Sequence, residues 1–595
     1  MCGFAAELRR EGDADRDALR AMAAVLEPRG PDGEGERFHA GTGLIHRRLK
    51  IIDLSERGAQ PMHDPRTETT IVFNGCIYNH HELRAELEGL GHEFRSTSDT
   101  EVLLAGWSQW GEGLLERLKG MFAFALLEER TGRLVLVRDR LGIKPVYLAD
   151  LPGGGLRAAS SLPALLEGGG IDTAIDPVAL HHYLSWHSVV PAPRTILRGV
   201  RKLAPATVLT VEPDGRRRER RYWDPPFARD AARAGWSAED WTDAVRAGLE
   251  TAVRRRMVAD VPVGVLLSGG LDSSLIVAML AGQGQRGLAT FSIGFPDVAG
   301  REGNEFRYSD LMAREFATEH ERIEATREDL LAALPRAIGA MSEPMISHDA
   351  VAFFMLSEVV ARTRKVVQSG QGADEVFAGY SWYQPLGRED RGDGTGVADY
   401  RREFFDRDHD GVLALAAPGA VASEDVSRAF AEEWFARDGA DSPIDRALRL
   451  DTEVMLVDDP VKRLDNMTMA HGLEARVPFL DHDLVELAAA CPPELKLAEG
   501  GKGVLKRLAR GLVPDAVIDR PKGYFPVPAL THLEAPVVEL VGDALCSDTA
   551  RDRGLFRPDV VEAMLADPNA ARTNLDGSTL WQVGLLELWL QQHGV

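Results

Sequence analysis

Val261-Pro262-Val263-Gly264-Val265-Leu266-Leu267, followed by Ser268-Gly269-Gly270-Leu271-Asp272-Ser273-Ser274, is the stretch that decides the fold. Its first half is an apolar run, which predicts a buried strand, and its second half is a glycine-rich turn into an apolar helix at 273–280. A second apolar strand follows at 290–295. Strand, loop, helix and strand in this order form a βαβ unit. Such a unit predicts a parallel sheet whose ligands bind at the carboxyl ends of the strands.

The glycine turn itself predicts a nucleotide site. Gly269 and Gly270 allow the backbone to approach a ligand closely, and the following helix directs its N–H groups at the loop. Asp272 stands where a carboxylate and a phosphate can share a magnesium ion. No Gly-Lys-Ser/Thr closes the loop, so the pattern favours an ATP pyrophosphate loop over a Walker loop or a plain turn. Hydroxyl donors for phosphate oxygens are supplied by Ser268, Ser273 and Ser274.

A second glycine loop supports the same site. Val366-Val367-Gln368-Ser369-Gly370-Gln371-Gly372-Ala373-Asp374-Glu375 again reads as strand, loop and carboxylate. Asp374 is therefore a second candidate magnesium ligand. Two such loops on two strands of one sheet predict ATP bound with its metal between them.

At the start of the chain, Cys2 follows the initiator methionine. Removal of Met1 would leave a cysteine that carries a free α-amine beside its thiol. These two groups form a nucleophile with its own base, as in N-terminal threonine enzymes. A second-position cysteine alone is a weak signal, because buried cysteines usually only pack. The nucleotide loops give it weight, since they indicate two chemistries in one polypeptide.

The composition narrows the functional classes. At 595 residues the chain is long enough for about three to four domain-sized units. A net charge of −23 argues against a nucleic-acid partner, since no basic surplus is available to neutralise phosphates. The four cysteines form no CxxC pair, which argues against a zinc site or a disulfide framework. The sequence shows neither a signal-peptide core nor an apolar run of about 20 residues, so we expect a cytoplasmic protein with no membrane partner.

The distribution of strands, helices and breaks predicts two large units and a linker. Residues 2–210 are rich in short strands with helices between them, which is typical of layered sheets flanked by helices. In this part, residues 71–73 predict a strand that ends in a tight turn at Asn74-Gly75. Residues 211–235 are predicted to be the linker, with Arg216-Arg217-Arg218-Glu219-Arg220-Arg221 as a solvated turn. Residues 236–595 carry the βαβ unit and end in a mostly helical third.

Together these features resemble the glutamine-dependent asparagine synthetase family over nearly the full chain. In the N-terminal unit the matching motifs are Cys2-Gly3, Arg29-Gly30-Pro31-Asp32, His46-Arg47-Arg48-Leu49, Asn74-Gly75-Cys76-Ile77-Tyr78-Asn79, Ser98-Asp99-Thr100-Glu101, Gly120-Met121-Phe122-Ala123-Phe124 and Arg138-Asp139-Arg140-Leu141-Gly142. In the C-terminal unit they are the two glycine loops and Glu474-Ala475-Arg476-Val477-Pro478-Phe479-Leu480-Asp481. The shared order of so many motifs makes chance agreement negligible.

For the N-terminal unit, the resemblance implies a class II glutaminase with the αββα sandwich of N-terminal nucleophile (Ntn) hydrolases. Cys2 would attack the side-chain amide of glutamine, and Asn74 and Gly75 would form the oxyanion hole. Arg48 would hold the α-carboxylate of glutamine and Asp99 its α-ammonium. The ammonia released would pass internally to the second unit. The remaining glutamine-binding residues implied by the family are Leu49, Lys50, Ile51, Ile52 and Cys76.

For the C-terminal unit, the resemblance implies an α/β ATP pyrophosphatase domain of the adenine nucleotide α-hydrolase kind, with a helical C-terminal part. A substrate carboxylate would attack the ATP α-phosphate and give an acyl-adenylate, because AMP leaves an acyl carbon far more readily than oxide does. Asp272 and Asp374 would hold Mg²⁺, and Lys502 would neutralise charge in both transition states. Homodimerisation is an expectation at the level of the family. The residues implied to surround ATP are Leu266, Ser268, Gly269, Gly270, Asp272, Ser273, Ser274, Ile293, Ser369 and Gly370.

Two departures from the family pattern bear on recognition. Cys76 stands where the family commonly has a glutamate that helps to bind the glutamine ammonium, which leaves Asp99 as the main counter-charge. Gln371 stands where the family has a glutamate at the acceptor site, so we expect Gln371 to take part in a different acceptor recognition.

Several segments resemble one branch of the family, the N-acetylglutaminylglutamine amidotransferases, bacterial enzymes that make a dipeptide-amide osmolyte. An N-acetylated dipeptide has no free α-ammonium, which is consistent with a neutral Gln371. The segments are Trp186-His187-Ser188-Val189-Val190-Pro191-Ala192-Pro193-Arg194, Ser347-His348-Asp349, Ser369-Gly370-Gln371-Gly372-Ala373-Asp374, Asp458-Asp459-Pro460-Val461-Lys462-Arg463 and Lys522-Gly523-Tyr524-Phe525-Pro526-Val527-Pro528.

Other functions stay open. The main alternative is an asparagine synthetase that takes aspartate as its acceptor, although such a site has to satisfy an ammonium that the dipeptide lacks. A β-lactam synthetase-like cyclase would need no ammonia, so the complete glutaminase set argues against it. A non-catalytic glutamine sensor would have no use for the acidic residues of both glycine loops, Asp272 and Asp374.

Overall fold

The structure, a computed structural model, describes residues 2–298, 300, 302–387, 396–521, 523 and 527–595. Of the segments used above, Met1, Lys522 and residues 524–526 lie outside the described residues. The strands of the N-terminal part are β1 (Gly3–Leu8), β2 (Gly33–His39), β3 (Thr42–Arg48), β4 (Met62–Asp64), β5 (Thr69–Ile77), β6 (Gly120–Glu128), β7 (Arg133–Arg138), β8 (Tyr147–Asp150), β9 (Leu156–Ala159), β10 (Val200–Lys202), β11 (Thr207–Val211) and β12 (Arg217–Arg221). Within the described residues they form two six-stranded antiparallel sheets, ordered β10-β8-β9-β1-β3-β2 and β12-β11-β7-β6-β5-β4.

These two sheets stack face to face between two layers of helices. Successive residues of a strand point to opposite faces, so Phe4 and Ala6 of β1 pack against Val72 of β5 in the core between the sheets. The neighbouring residue Ala5 faces the outer layer instead. Helices Arg16–Val25 and Leu162–Glu167 pack on the first sheet, and Asp99–Trp110, with His80–Gly89 beside it, packs on the second. This is the predicted αββα sandwich.

Two local predictions in this part are wrong. The strand predicted at 71–73 does not end in a turn at Asn74-Gly75, because β5 continues to Ile77 and pairs with β6 over its whole length. The boundary predicted at 210 falls inside β11, and the predicted linker contains β12, which pairs with β11. The arginine run is therefore an edge strand of the second sheet, and its exposed charged side chains suit an edge that is open to water.

The C-terminal part is built on a parallel sheet, as the βαβ unit predicts. Its strands are β13 (Val263–Leu266), β14 (Ala289–Gly294), β15 (Glu319–Glu324), β16 (Val366–Gln368) and β17 (Glu474–Arg476). In the part of the chain that the structure describes, these five strands are ordered β15-β14-β13-β16-β17 and each neighbouring pair is parallel. The helices around the sheet are Ala238–Arg255, Leu271–Gly282, Phe306–Glu315, Arg327–Ala340, Asp349–Val360 and Ala373–Val376.

The last third is mostly helical, as predicted. Two of its helices, Pro443–Leu450 and Lys462–Met469, are joined by π-helical turns at Asp451–Met455 and Val457–Val461. Such turns are frequent at functional sites, because the extra residue redirects side chains. The further helices are Tyr383–Leu386, Val397–Phe404, His409–Leu415, Val426–Ala436, His482–Ala490, Pro493–Leu497, Gly503–Ala509, Asp515–Ile518, Pro528–Thr531, Ala535–Leu545, Asp548–Arg553, Pro558–Ala566 and Thr579–Gln592. Among the residues described, no helix has the length and apolar character needed to cross a membrane.

Candidate active sites

Cys2 lies directly before β1, with only 7% of its surface exposed. Its backbone N–H donates to Asn74 Oδ1 over 3.2 Å, and its carbonyl accepts from Arg29 Nε over 3.3 Å. Burial raises the pKa of the Cys2 thiol, although nearby positive charge opposes this. The thiol therefore needs a base close by before it can act as a nucleophile.

Asn74 and Gly75 form the wall beside Cys2. Asn74 is fully buried, and its Nδ2 has no hydrogen-bond partner among the residues described, so this donor can serve an oxyanion next to Cys2. Gly75 has to be glycine, because a Cβ there would lie 2.2 Å from the carbonyl oxygen of Met121 on β6. Pairing with β6 therefore fixes the position of both residues.

The predicted glutamine-binding residues meet in one cavity, with two exceptions, Lys50 and Asn74, the second of which lies next to the cavity and bonds to Cys2. Arg48 donates to the carbonyl oxygens of Ser55, over 2.8 Å, and Asp53, which orients its guanidinium in the wall. The side chain of Lys50 instead points away and pairs with Glu56 over 2.5 Å. The predicted residues in the wall are Cys2, Arg48, Leu49, Ile51, Ile52, Gly75, Cys76 and Asp99; residues there that the sequence did not predict include Gln60, Ser98, Thr100 and Glu474.

Asp99 and Cys76 occupy the far side of this cavity. Asp99 opens the helix Asp99–Trp110 and accepts from the N–H of Ile77 over 3.0 Å, yet burial raises its pKa to about 6. Burial also raises the pKa of Cys76, so this residue stays a neutral thiol. Its Sγ contacts Arg476 Nη2 at 3.5 Å, which agrees with a packing role.

The two glycine loops lie side by side, because β13 and β16 are adjacent parallel strands. Gly269 has φ +76°, and a Cβ there would lie 2.5 Å from the backbone nitrogen of Ser309, so only glycine fits this turn. The cavity between the loops has a volume of about 290 Å³. Of the predicted ATP residues, Leu266, Ser268, Gly270, Asp272, Ser273, Ile293, Ser369 and Gly370 line this cavity, and Gly269 and Ser274 lie behind it.

Lys502 forms ion pairs with one carboxylate from each loop, Asp272 and Asp374. Its Nζ lies 2.7 Å from Asp272 Oδ2 and 2.8 Å from Asp374 Oδ1. Burial opposes the charge of Lys502, but the two carboxylates outweigh it and raise its pKa. Carboxylates and hydroxyls are the hard oxygen donors that magnesium prefers, so the residues present fit this ion beside a phosphate.

A second, larger cavity adjoins the nucleotide cavity. Its volume is about 580 Å³, and it shares Asp349, Tyr380 and Arg463 with the first. Gln371, predicted at the acceptor site, lines the nucleotide cavity. Four of the segments that resemble the dipeptide branch contribute to the second cavity, with His187, Ser347-His348-Asp349, Asp459 with Arg463, and Val527-Pro528.

Two family models match separate parts of the chain. The asparagine synthase family model matches residues 244–591, and the glutamine amidotransferase domain model matches residues 1–223. The chain belongs to the asparagine synthase family. It is 30% identical to "Asparagine synthetase [glutamine-hydrolyzing] 1" of Bacillus subtilis, over 99% of this chain and 96% of that protein. It is 32% identical to a putative glutamine-hydrolysing asparagine synthetase of Mycobacterium bovis, over 99% and 97%.

Another protein similar to this chain has a different kind of name. "Amidase chyE" of Penicillium rubens is 28% identical over 84% of this chain and 83% of that protein. Family membership confirms the predicted enzyme class, an ATP-dependent carbon–nitrogen ligase of the glutamine-dependent amidotransferase type.

Proposed function

We propose that the protein transfers the amide nitrogen of glutamine to the carboxylate of an N-acylated dipeptide, and that N-acetylglutaminylglutamine is this acceptor. The second cavity is the observation that carries this assignment. Pockets for drug-sized ligands occupy roughly 300–1,000 Å³, and this cavity of about 580 Å³ has room for a peptide-sized acceptor. Because the two cavities share Asp349, Tyr380 and Arg463, a carboxylate bound at this shared wall would lie close to ATP.

An aromatic part of the wall of the second cavity suits a neutral peptide body. Tyr380 and Trp382 stack with their ring centroids 4.0 Å apart and offer a flat apolar surface. At the junction with the nucleotide cavity, Arg463 pairs with Asp349 over 3.1 Å and with Asp459 over 2.6 Å. These carboxylates are thus engaged by a guanidinium, as suits an acceptor that brings no α-ammonium of its own.

The first half-reaction releases ammonia. The α-amine of Cys2, freed by removal of Met1, takes the thiol proton, and Sγ attacks the amide carbon of glutamine. Asn74 Nδ2 and the Gly75 N–H donate to the oxyanion that forms. The Cys2 amine passes this proton to the amide nitrogen, which leaves as ammonia while the tetrahedral intermediate collapses to a thioester. Water then hydrolyses the thioester, which gives glutamate and restores the Cys2 thiol. Arg48 and Asp99 hold the two ends of the amino-acid group of glutamine.

The second half-reaction forms the amide. An acceptor carboxylate oxygen attacks the α-phosphorus of ATP and pyrophosphate leaves, which gives an acyl-adenylate. Ammonia then attacks the acyl carbon, AMP leaves with the former carboxylate oxygen, and one proton is released. Lys502, held between Asp272 and Asp374, would place a positive charge in the cavity where both steps take place. Magnesium, held by Asp272 and Asp374, would supply further neutralisation of phosphate charge.

An asparagine synthetase activity is the second candidate, and the names of the Bacillus and Mycobacterium relatives favour it. In that case aspartate would occupy the junction near Arg463, and most of the second cavity would stay unused by the acceptor.

The deciding experiment measures pyrophosphate release by purified protein with ATP, Mg²⁺ and glutamine, and compares N-acetylglutaminylglutamine with aspartate. Release with the dipeptide alone would support the proposal, and release with aspartate alone would reject the dipeptide assignment. The variant Leu575→Trp, which fills the second cavity, should lower kcat/KM for the dipeptide. Leu512→Trp, at an exposed position, is the matched control and should change neither rate.

A further inference from the structure

The glutamine cavity contains one carboxylate that the synthetase part supplies. Glu474 is the first residue of β17, the edge strand of the parallel sheet, and its side chain lies in the wall of the cavity that holds Cys2. Glu474 is only 1% exposed, so its carboxylate is shielded from bulk water. A segment far along the chain therefore closes the N-terminal active site.

An α-amino acid substrate needs negative charge around its ammonium, and the N-terminal part provides little of it. Asp99 has a pKa raised to about 6 by burial, so its charge is incomplete just below neutral pH. Cys76, in the same wall, is neutral at that pH, because burial raises its pKa. The guanidinium of Arg476 lies 3.5 Å from Cys76 Sγ and adds a permanent positive charge that would repel an ammonium.

Glu474 offsets this positive charge. Its carboxylate accepts from Arg476 Nε, and although burial opposes its ionisation, Arg476 lowers its pKa below the ordinary value. The Arg476 Nη1 donates to the carbonyl oxygens of Arg256 over 2.9 Å and Val258 over 2.7 Å, which fixes the guanidinium. A fixed partner in turn holds the Glu474 carboxylate in the wall of the cavity.

We propose that Glu474 is a second counter-charge for the α-ammonium of glutamine and thus a specificity-determining residue of the glutaminase site. This inference rests on the proposed function, since it assumes that the N-terminal cavity binds glutamine. It implies that the synthetase part completes the glutamine pocket. Cys2 lines the same cavity, so Glu474 could act on the Cys2 α-amine instead, and the experiment separates these two roles.

The test uses full-length Glu474→Gln and measures glutamate release at varied glutamine concentration. Loss of a charge-assisted contact should raise KM for glutamine about tenfold or more and leave kcat within about threefold. Glu494→Gln, an exposed change in the same part of the chain, is the matched control and should leave KM unaltered. Synthesis from added ammonia, measured on the same preparations, reports whether each variant is folded.

A rescue variant makes the result specific. Adding Cys76→Glu to Glu474→Gln returns a carboxylate to the wall beside Arg476, so KM for glutamine should fall back toward the wild-type value. If kcat falls while KM is unchanged, or if the acid limb of the kcat profile moves, Glu474 acts on the Cys2 amine and the proposal is rejected. An unchanged KM and kcat would also reject it.

The two proposals fail in different ways. A wild-type protein that releases no glutamate from glutamine would reject the glutaminase function itself. A wild-type protein that does so, beside a Glu474→Gln variant with normal KM, would reject only the role of Glu474. Loss of synthesis from ammonia in Glu474→Gln would mean that this variant does not fold, and Glu474→Asp then serves as the test. Because Glu474→Asp keeps the negative charge, its KM for glutamine should rise less than that of a folded variant with an uncharged residue at position 474. A KM for the aspartate variant equal to that of such a neutral variant would overturn the proposal.

Discussion

Asp465 Oδ2 lies 2.9 Å from Arg29 Nη1 in a buried ion pair between the synthetase part and the glutaminase part. Asp465 Oδ1 also accepts from Lys144 Nζ over 2.9 Å. Arg29 in turn donates to the carbonyl oxygen of Cys2, and Asp465 lies on the same helix as Arg463, which lines both cavities of the synthetase part. One carboxylate thus connects the helix of the acceptor site with the backbone of the nucleophile.

Replacing Asp465 by Asn should destabilise the protein, because Arg29 and Lys144 would remain buried without their counter-charge. Removing one partner of a buried pair typically costs about 3–5 kcal/mol. We expect the urea midpoint of the variant to fall accordingly and its yield of amide per glutamate released to drop. Arg20→Gln, which breaks the exposed pair with Glu36, should leave both quantities unchanged. Equal midpoints for Asp465→Asn and wild type would show that the buried pair contributes no stability.

Cys2→Ala should abolish synthesis that depends on glutamine and preserve synthesis from added ammonia. The reason is that Cys2 lines only the N-terminal cavity, whereas the nucleotide cavity is built from β13, β14 and β16 with their loops. The measurement is amide formation with each nitrogen source, with circular dichroism as the control for folding. A folded variant that loses both activities would contradict the separation of the two sites.

The regular elements could be predicted because their signals are local. The run 261–274 contains its own strand, turn and helix start, and glycine at 269 is required by a positive φ that the sequence pattern already indicates. The prediction of a turn at Asn74-Gly75 was wrong because the conformation there depends on a contact that is distant in the sequence. There the glycine serves a close approach between strands, which depends on Met121 and could not be inferred from neighbours in the sequence.

The second cavity and the position of Glu474 could not be located from local patterns. The cavity is assembled from residues between His187 and Trp581, and Glu474 reaches the glutamine pocket only because β17 is the edge strand next to the N-terminal part. Linear spacing carries no signal for such contacts. Gln371 lies in the wall of the nucleotide cavity, and its part in acceptor recognition stays a prediction.

Asp272→Asn should remove synthesis from both glutamine and ammonia while glutamate release persists. The amide cannot pair with Lys502 as an anion does, and it is a poor magnesium ligand, so adenylation should fall by about 100-fold or more. Pyrophosphate release in the presence of acceptor is the measurement. Asp310→Asn, on the helix Phe306–Glu315 and outside the cavity, is the control. Synthesis from ammonia at the normal rate in Asp272→Asn would refute this placement of the ATP site.

The use of glutamine should depend on the ionisation of Asp99. Burial raises the pKa of this carboxyl to about 6, and the ammonium of glutamine needs the charged form. As pH falls through about 6, the free enzyme gains a proton at Asp99, so kcat/KM for glutamate release should fall about tenfold per further pH unit. The folded state also holds this proton more tightly than the unfolded chain, so the contribution of Asp99 to stability decreases as pH rises from about 4 to 6.

Measuring kcat/KM between pH 5 and 8 checks this dependence, with Asp99→Asn as the comparison. The variant should have a low value at every pH and no inflection near 6, because the amide does not titrate. Glu101→Gln removes a neighbouring carboxylate that accepts from the N–H groups of Arg95 and Ser96, outside the residues that line the cavity, and should keep the inflection. An inflection near pH 6 in the kcat/KM profile of Asp99→Asn would assign the titration to another group. The α-amine of Cys2 would then be the first group to examine.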